Sequence, residues 1–98
     1  MLDLQKLETF RTVAVTSNFS RAATELGYTQ STVTFHIQSL ERELGVRLLE
    51  RQRFSKTIAI TEIGRRILEY AERLLALAAE ANAKAVAFRR NRSLGCAQ

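Results

Sequence analysis

Residues 19–38 read FSRAATELGYTQSTVTFHIQ, and their spacing predicts two short helices joined by a tight turn. Ala22 and Ala23 are small residues inside the first helical run, so they let a second helix approach closely. Gly27 follows where the chain must turn sharply, and glycine adopts a left-handed φ without strain. Thr29 then opens the second run. Helices joined by about three residues cross at a steep angle, so the stretch is predicted to be a helix-turn-helix.

The boundaries of three helices follow from capping residues. A first helix is predicted over about 4–17, with Asp3 as its N-cap. Ser20 is predicted to cap a second helix over about 21–26, and Gly45 to end a third helix over about 30–43. Apolar residues recur at helical spacing in the first and third helices, so these faces should form the core. They are Leu4, Leu7, Phe10, Val13 and Ala14, then Val33, Ile37, Leu40 and Leu44.

The spacing changes from helical to extended after Gly45. Val46, Leu48 and Leu49 lead into a basic turn over 52–56. Residues 57–61 then alternate polar and apolar, which predicts a short strand with one buried face. Two short strands around a basic tip form a β-wing. The predicted fold is therefore mainly α: a winged helix-turn-helix over 1–61, with three helices and a two-stranded β-wing.

A long helix is predicted after the wing, with Thr61 as its N-cap. From Glu62 to about Arg90 it would be a rod of ~43 Å. A domain this small cannot cover an apolar stripe of that length, so 62–90 is predicted to be a linker and dimerisation helix. The alternative is a helix folded back on its own domain. Whether two rods run parallel or antiparallel, and whether a tetramer forms, stays open. The predicted homodimer contacts are Ile63, Ile67, Tyr70, Ala71, Leu74, Ala78, Ala81 and Ala85, and 91–98 is predicted to be a flexible tail.

Composition narrows the class of protein. The chain has 98 residues, 46% of them apolar, no proline and a formal net charge of +5. It lacks the ~18-residue apolar run that a membrane span needs, and it has no recognisable secretion signal. Its single cysteine, Cys96, cannot form an internal disulfide. A cytoplasmic location and no membrane association are therefore predicted. No nucleophile–base pair, metal-ligand cluster or phosphate loop is present. We therefore predict that it is not an enzyme and has no cofactor or metal; His36, the only histidine, should be half-buried and hydrogen-bonded.

The side of the third helix opposite its core face is predicted to read DNA bases. At about 100° per residue this side collects Ser31, Phe35, Gln38 and Arg42, with Thr34 on its flank. Gln30 begins the helix; glutamine pairs bidentately with adenine, although a local capping role is the alternative. Phe35 suits contact with a thymine methyl group, and the alternative is a surface aromatic or an oligomer contact. The predicted base-reading residues are Gln30, Ser31, Thr34, Phe35 and Gln38.

Phosphate contacts must come from outside this segment, because 30–38 carries no fixed charge. Arg53, at the tip of the wing, suits a narrow, A·T-rich minor groove. In the alternative interpretation of the basic cluster, Arg47 and Arg51 pair with Glu43 or Glu50. The predicted backbone or minor-groove contacts are Asn18, Ser20, Arg21, Thr32, Arg51, Arg53 and Lys56.

Taken together, these residues resemble the N-terminal DNA-binding region of LysR-type transcriptional regulators over about 2–90. The matching motifs are Arg21-Ala22-Ala23, Thr29-Gln30, the segment LERELGVRLLER over 40–51 and TEIGRRILEYA over 61–71. The resemblance implies a dimer of winged helix-turn-helix domains, joined through the linker helix, on an interrupted inverted repeat of double-stranded DNA near a promoter. It also implies base reading by Gln30, Ser31, Thr34 and the residue at 35, with Arg53 in the minor groove.

The chain departs from the family pattern at three points. Position 31 is often proline there and is serine here. Position 35 is often arginine or lysine there, so phenylalanine favours a thymine over a guanine contact. Family members also carry an effector-binding domain after the linker helix, whereas this sequence stops at Gln98 and shows no effector site. It is either a fragment or a protein that works without that domain. Two further hypotheses are a partner that titrates full-length regulators into inactive heterodimers and an RNA-binding winged helix.

Overall fold

The computed structural model describes residues 2–51 and 58–96. The elements are helix α1 (Leu4–Thr16), helix α2 (Phe19–Leu26), helix α3 (Gln30–Leu44), strand β1 (Leu49–Arg51), strand β2 (Ile58–Ile60) and helix α4 (Glu62–Cys96). The two strands pair antiparallel, with Leu49 opposite Ile60 and Arg51 opposite Ile58. The predicted fold class is confirmed: three short helices, a two-stranded wing and a long helix. The last helix continues to Cys96, beyond the predicted start of a flexible tail at 91.

The start of α2 differs from the prediction, because Asn18 rather than Ser20 is its cap. The side-chain oxygen of Asn18 accepts the backbone N–H of Arg21 at 3.0 Å. Ser17 ends α1 in a left-handed conformation with φ of 55°, so the turn is short and α2 begins at Phe19. Serine and asparagine are about equally good caps, so local preference did not distinguish them. The predicted Asp3 cap is confirmed by its bond to the N–H of Gln5 at 2.8 Å.

The hydrophobic core lies where α1, α2 and α3 meet the wing and the start of α4. The predicted faces of α1 and α3 are confirmed by their central residues, but Leu4 is exposed because it lies in the first turn of α1, at the edge of the domain. Full burial of a valine, leucine, isoleucine or phenylalanine side chain contributes about 1.5–3 kcal/mol of transfer free energy. The buried apolar residues are Leu7, Phe10, Val13, Ala22, Ala23, Val33, Ile37, Leu40, Leu48, Leu49 and Ala71.

The wing is attached to the helices through the backbone of Leu48. The Glu41 carboxylate of α3 accepts the backbone N–H of Leu48 at 2.8 Å and that of Leu49 at 3.4 Å. On the other side, the Leu48 carbonyl accepts the backbone N–H of Thr61 at 3.0 Å. The predicted Thr61 cap is confirmed, since its hydroxyl oxygen accepts the N–H of Gly64 at 3.0 Å. One short segment thus connects α3, the wing and α4.

The long helix has two apolar faces rather than the single predicted stripe. At about 100° per residue, Gly64, Leu68, Ala71 and Leu75 lie within roughly 60° of one another. This first face packs on the helix's own domain, and Ala71 is fully buried there. The prediction that Ala71 contacts a partner is therefore corrected. Periodicity alone could not separate a face that covers the domain from an adjacent one that does not.

The second face of α4 is turned by roughly 120° from the first and points away from the domain. Its apolar side chains are exposed, from Tyr70 to Phe88, and Leu77 is 60% exposed. Ile67 and Ala78 lie between the two faces and are half-buried, and Ile67 packs against the core. This exposed apolar face is formed by Ile63, Tyr70, Leu74, Leu77, Ala81, Ala85 and Phe88.

Candidate nucleic-acid interface

The outward side of α3 brings together the five side chains that the sequence predicts to read bases. Thr34 is half-buried and the other four are exposed. Directly behind them Val33, Ile37 and Leu40 are buried, so the predicted orientation of α3 is confirmed. The five side chains line one shallow surface depression: Gln30, Ser31, Thr34, Phe35 and Gln38. The orientation makes a concentrated patch of amide, hydroxyl and aromatic groups available to a ligand.

The turn before α3 fixes how this patch is presented. Gly27 adopts a left-handed conformation with φ of 72°, and the next backbone N–H, of Tyr28, bonds to the Ala23 carbonyl at 2.9 Å. Thr29 caps α3 by accepting the N–H of Thr32 at 3.1 Å. The two threonine hydroxyls are also 2.9 Å apart. Thr32, predicted to contact DNA, is thus half-buried and part of the cap.

The start of α2 carries three of the residues predicted to contact the DNA backbone. Ser20 and Arg21 are exposed, and Asn18 is exposed while its oxygen caps the helix. The N-terminus of a helix presents backbone N–H groups and a positive dipole end, which favour a phosphate. The geometry therefore combines a cationic side chain with a helix end on one exposed edge.

The wing supplies the other predicted cations, and only part of it is described. Arg51 ends β1, while Arg53 and Lys56 lie outside the described residues. Among described residues, Arg42 and Arg47 are exposed and line a second depression that continues from Gln38. The sequence placed both arginines near the site without assigning them a contact. Both arginines are candidates for DNA contact because they are exposed and border the same depression as Gln38.

Two acidic residues near this region, Glu41 and Glu43, have partners in the described part of the chain. Glu41 bonds to the backbone of the wing, and Glu43 forms an ion pair with Lys6 at 3.6 Å. Glu43 thus has a cationic partner on α1, and the side chain of Arg51 lies outside the described residues. Lys6 was missed by the sequence interpretation, since nothing in its spacing on α1 links it to α3.

Two rings on α3 differ in their surroundings. Phe35 is 57% exposed, with the Nζ of Lys6 5.9 Å from its ring centroid. His36 is half-buried, as predicted: its Nδ1 lies 2.8 Å from the Thr9 hydroxyl, and Tyr28 meets its ring edge-on at 5.3 Å. The imidazole is thus part of the packing between α1 and α3, whereas the phenyl ring faces outward.

The comparison with known protein families decides the class of this surface. Residues 4–65 match the model of the bacterial regulatory helix-turn-helix proteins of the lysR family. The chain belongs to the LysR family. It is a LysR-type helix-turn-helix DNA-binding domain, related to transcriptional regulators rather than to enzymes.

Relatives agree with this membership. The LysR-type domain is 42% identical over 80 residues to the HTH-type transcriptional regulator YwqM of Bacillus subtilis (strain 168), and 45% identical over 74 residues to HdfR of Escherichia coli O139:H28. The alignments cover 82% and 76% of this chain but only 27% and 26% of those proteins. The chain thus spans about a quarter of the length of these relatives.

A solved structure of a similar domain holds DNA. The DNA-binding domain of CbnR, crystallised as a complex with DNA, superposes with a TM-score of 0.81 at 36% identity. The match covers 88% of this chain and 97% of that one. The LysR-type fold is therefore shared over nearly the whole crystallised domain, including the long helix.

Other binding chemistry finds little support in the described part of the LysR-type domain. No cluster of three or more His, Cys, Asp or Glu side chains suitable for a metal occurs over residues 2–50 and 58–91. Within the same described regions, no helix is long and apolar enough to cross a membrane.

Proposed function

We propose that this LysR-type domain binds double-stranded DNA sequence-specifically as the DNA-binding part of a transcription regulator. In this proposal α3 enters the major groove and the wing reaches the adjacent minor groove. The observation that carries the proposal is the exposed patch around Gln30, Ser31 and Phe35, held outward by the buried face of α3. An α-helix presented by a helix-turn-helix reads base edges with the residues of its first turns.

The chemistry of the patch favours A·T base pairs. Gln30 offers one donor and one acceptor, which match N6 and N7 of adenine. Phe35 offers an exposed apolar ring suited to a thymine methyl group. Because α3 carries no arginine or lysine from Gln30 to Leu40, the usual arginine contact with guanine is missing from this segment. We infer a preference for A·T-rich half-sites.

Phosphate contacts are proposed on two sides of the patch. Arg21, with Asn18 and Ser20, lies at the start of α2. Arg42 and Arg47 lie beyond Gln38, and the sequence adds Arg51, Arg53 and Lys56 as further proposed contacts. Such contacts fix the register of a protein on DNA but carry no sequence information. Residues 1–61 would therefore supply both base reading and phosphate anchoring.

The exposed apolar face of α4 supports a homodimer. Its side chains are too large and too exposed for a face that stays in water, and two copies related by a two-fold axis would cover each other. A dimer would place two recognition helices on the halves of an interrupted inverted repeat. We propose residues 62–90 as the dimerisation helix and, by the nature of the partner, a cytoplasmic, nucleoid-associated location. Association of dimers into a tetramer is compatible with this arrangement.

A binding experiment tests the proposal against its alternatives. The purified chain is incubated with a random pool of duplex oligonucleotides, and the bound molecules are selected and sequenced. The affinity of the chain for the enriched sequence is then measured by fluorescence anisotropy at fixed salt. We expect an inverted repeat with A·T-rich half-sites. Failure to enrich any sequence would favour the chain that titrates other regulators, and RNA competing as well as the enriched duplex would favour an RNA-binding domain.

Replacing Gln30 with alanine is expected to weaken specific binding by about 1–3 kcal/mol, because one bidentate base contact is lost. The substitution should also relax selectivity at a single base pair of each half-site. Selection from a random pool followed by anisotropy measures both effects. Gln5→Ala, an exposed glutamine on α1, is the matched control and should leave selectivity as it is. Unchanged selectivity in the Gln30 variant would remove Gln30 from the base-reading set.

Replacing Arg47 with alanine is expected to weaken binding to all sequences similarly. One phosphate contact fewer should reduce the slope of log K against log salt concentration by about one. Titrations at four salt concentrations give this slope. Arg90→Ala makes the same change of charge on exposed α4, far from the patch, and should leave the slope unaltered. Equal slopes for Arg47→Ala and the parent would show that Arg47 does not touch phosphate.

A further inference from the structure

Lys6 of α1 reaches across to α3 and meets three of its side chains. Its Nζ donates a hydrogen bond to the Ser39 hydroxyl at 2.7 Å and lies 3.6 Å from the Glu43 carboxylate. The same Nζ lies over the Phe35 ring, 5.9 Å from the centroid. The Lys6 side chain is only 18% exposed. A lysine this enclosed is held in one place, unlike a lysine on a free surface.

We propose that Lys6 is a positioning residue for Phe35, and that it thereby sets the preference of the domain at the base step that this ring meets. The proposal deepens the proposed function and rests on it, because Phe35 must read DNA for its position to matter. Lys6 itself touches no base in this scheme. It acts through the ring.

The surroundings of Phe35 explain why its ring needs such support. The ring is more than half exposed, and within the described part of the chain the aromatic ring beside it is that of His36, tilted at 54° with centroids 6.3 Å apart. A phenylalanine in water has no packing that selects one rotamer. A cation over the ring face attracts the ring quadrupole within about 6 Å, so the ammonium group favours the rotamer found here. Contact with a methyl group is short-ranged, so a ring held in place can discriminate between bases better than a rotating one.

The partners of Lys6 argue against a direct contact with phosphate. Glu43 offsets the positive charge, and the hydrogen bond to Ser39 uses one of the three ammonium donors. The Lys6 side chain is also only 18% exposed, so little of it is open to a phosphate. A positioning role requires only that Lys6 remain where it lies. The two roles differ in their salt dependence, because only phosphate contacts release counterions.

The test replaces Lys6 with methionine, which keeps the length of the side chain and removes the charge. We expect discrimination against other bases at the step read by Phe35 to fall by about two- to five-fold, which is the range of an exposed cation–π contact. The slope of log K against log salt concentration should stay that of the parent. Lys6→Arg should restore discrimination to within about two-fold, since a guanidinium also stacks on aromatic rings.

A substitution in the partner ring separates this inference from the proposed function. In a Phe35→Leu background, Lys6→Met should cause no further loss of discrimination. If Phe35→Leu alone leaves base preference unchanged, Phe35 does not read DNA and the proposed base-reading set is wrong at that residue. If Phe35→Leu changes preference but Lys6→Met does not, or if the salt slope falls by about one, the positioning role is overturned.

Folding controls keep the outcome interpretable. Glu43→Gln removes the ion pair but leaves Lys6 beside the ring, and it should retain most of the discrimination. Thermal melting of each variant verifies that the domain is folded at the temperature of the selection. Lys6→Gln, which keeps a polar group near Ser39, carries the same test if Lys6→Met does not fold. Equal discrimination in the folded Lys6→Gln variant and the parent would overturn the proposal.

Discussion

Replacing Gly64 with valine is expected to lower the free energy of unfolding by about 3 kcal/mol. Gly64 is buried where α4 begins against the wing. A Cβ at this position would overlap the backbone carbonyl oxygen of Leu48 and come within 2.9 Å of Ile60 and 3.0 Å of Thr61. The closest of these atoms is the Leu48 carbonyl oxygen. It belongs to the backbone and accepts a hydrogen bond from the N–H of Thr61, so it cannot rotate away.

The higher helix propensity of valine opposes this loss of stability, but it is smaller than the cost of overpacking. Valine is more favourable than glycine inside a helix by only a few tenths of a kcal/mol, whereas overpacking costs about 1–3 kcal/mol or more. Thermal unfolding should show a melting temperature lowered by more than about 10 °C for a domain of this size. Arg65→Val places the same side chain on the next, exposed position and should change stability by less than about 0.5 kcal/mol. A Gly64 variant as stable as this control would mean that α4 can move away from the wing at little cost.

The helical faces of the domain could be predicted from the sequence because they are local patterns. Val33, Ile37 and Leu40 repeat with the period of a helix, and any fold that forms α3 must bury or expose them together. The opposite face, with Gln30 and Phe35, follows from the same rotation. The residues of the candidate patch could therefore be predicted from the sequence of α3 alone.

Features that depend on contacts between elements were not predictable in this way. The cap of α2 is Asn18 because Ser17 turns the chain, and both candidate caps have similar local preference. Ala71 lies on the same periodic series as Leu74, and only the packing of α4 on the domain separates them. Lys6 contacts residues more than 25 positions away. No pattern within α1 marks it.

The second large effect is expected from Leu74→Glu, at the centre of the exposed apolar face of α4. Leu74 is 38% exposed in the single chain, next to Tyr70 and Leu77 on the same side. In a two-fold dimer each substitution occurs twice, so two carboxylates would be buried in an apolar seam. Burial of a charge without a partner costs several kcal/mol, so the dissociation constant should rise by about 100-fold or more. Light scattering should then give the mass of the 11.1 kDa monomer. Ala76→Glu puts the same charge on the opposite side of α4 and should leave the dimer intact.

The effect of Leu74→Glu on DNA affinity distinguishes a dimerisation defect from damage to the DNA-binding surface of α3. When two linked domains bind two half-sites, the second binding event is intramolecular. The affinity of the dimer for the complete repeat can therefore exceed that of one domain for one half-site by a factor of about 10²–10⁴. The Leu74 variant should therefore lose affinity for the complete inverted repeat by about 100-fold, yet bind an isolated half-site as the parent domain does, because the patch around Gln30 is untouched. A variant that remains dimeric and retains full affinity would place the subunit interface elsewhere. Equal losses on the half-site and on the complete repeat would instead mean that α4 supports the fold of the DNA-binding domain itself, as its buried face at Ala71 already does.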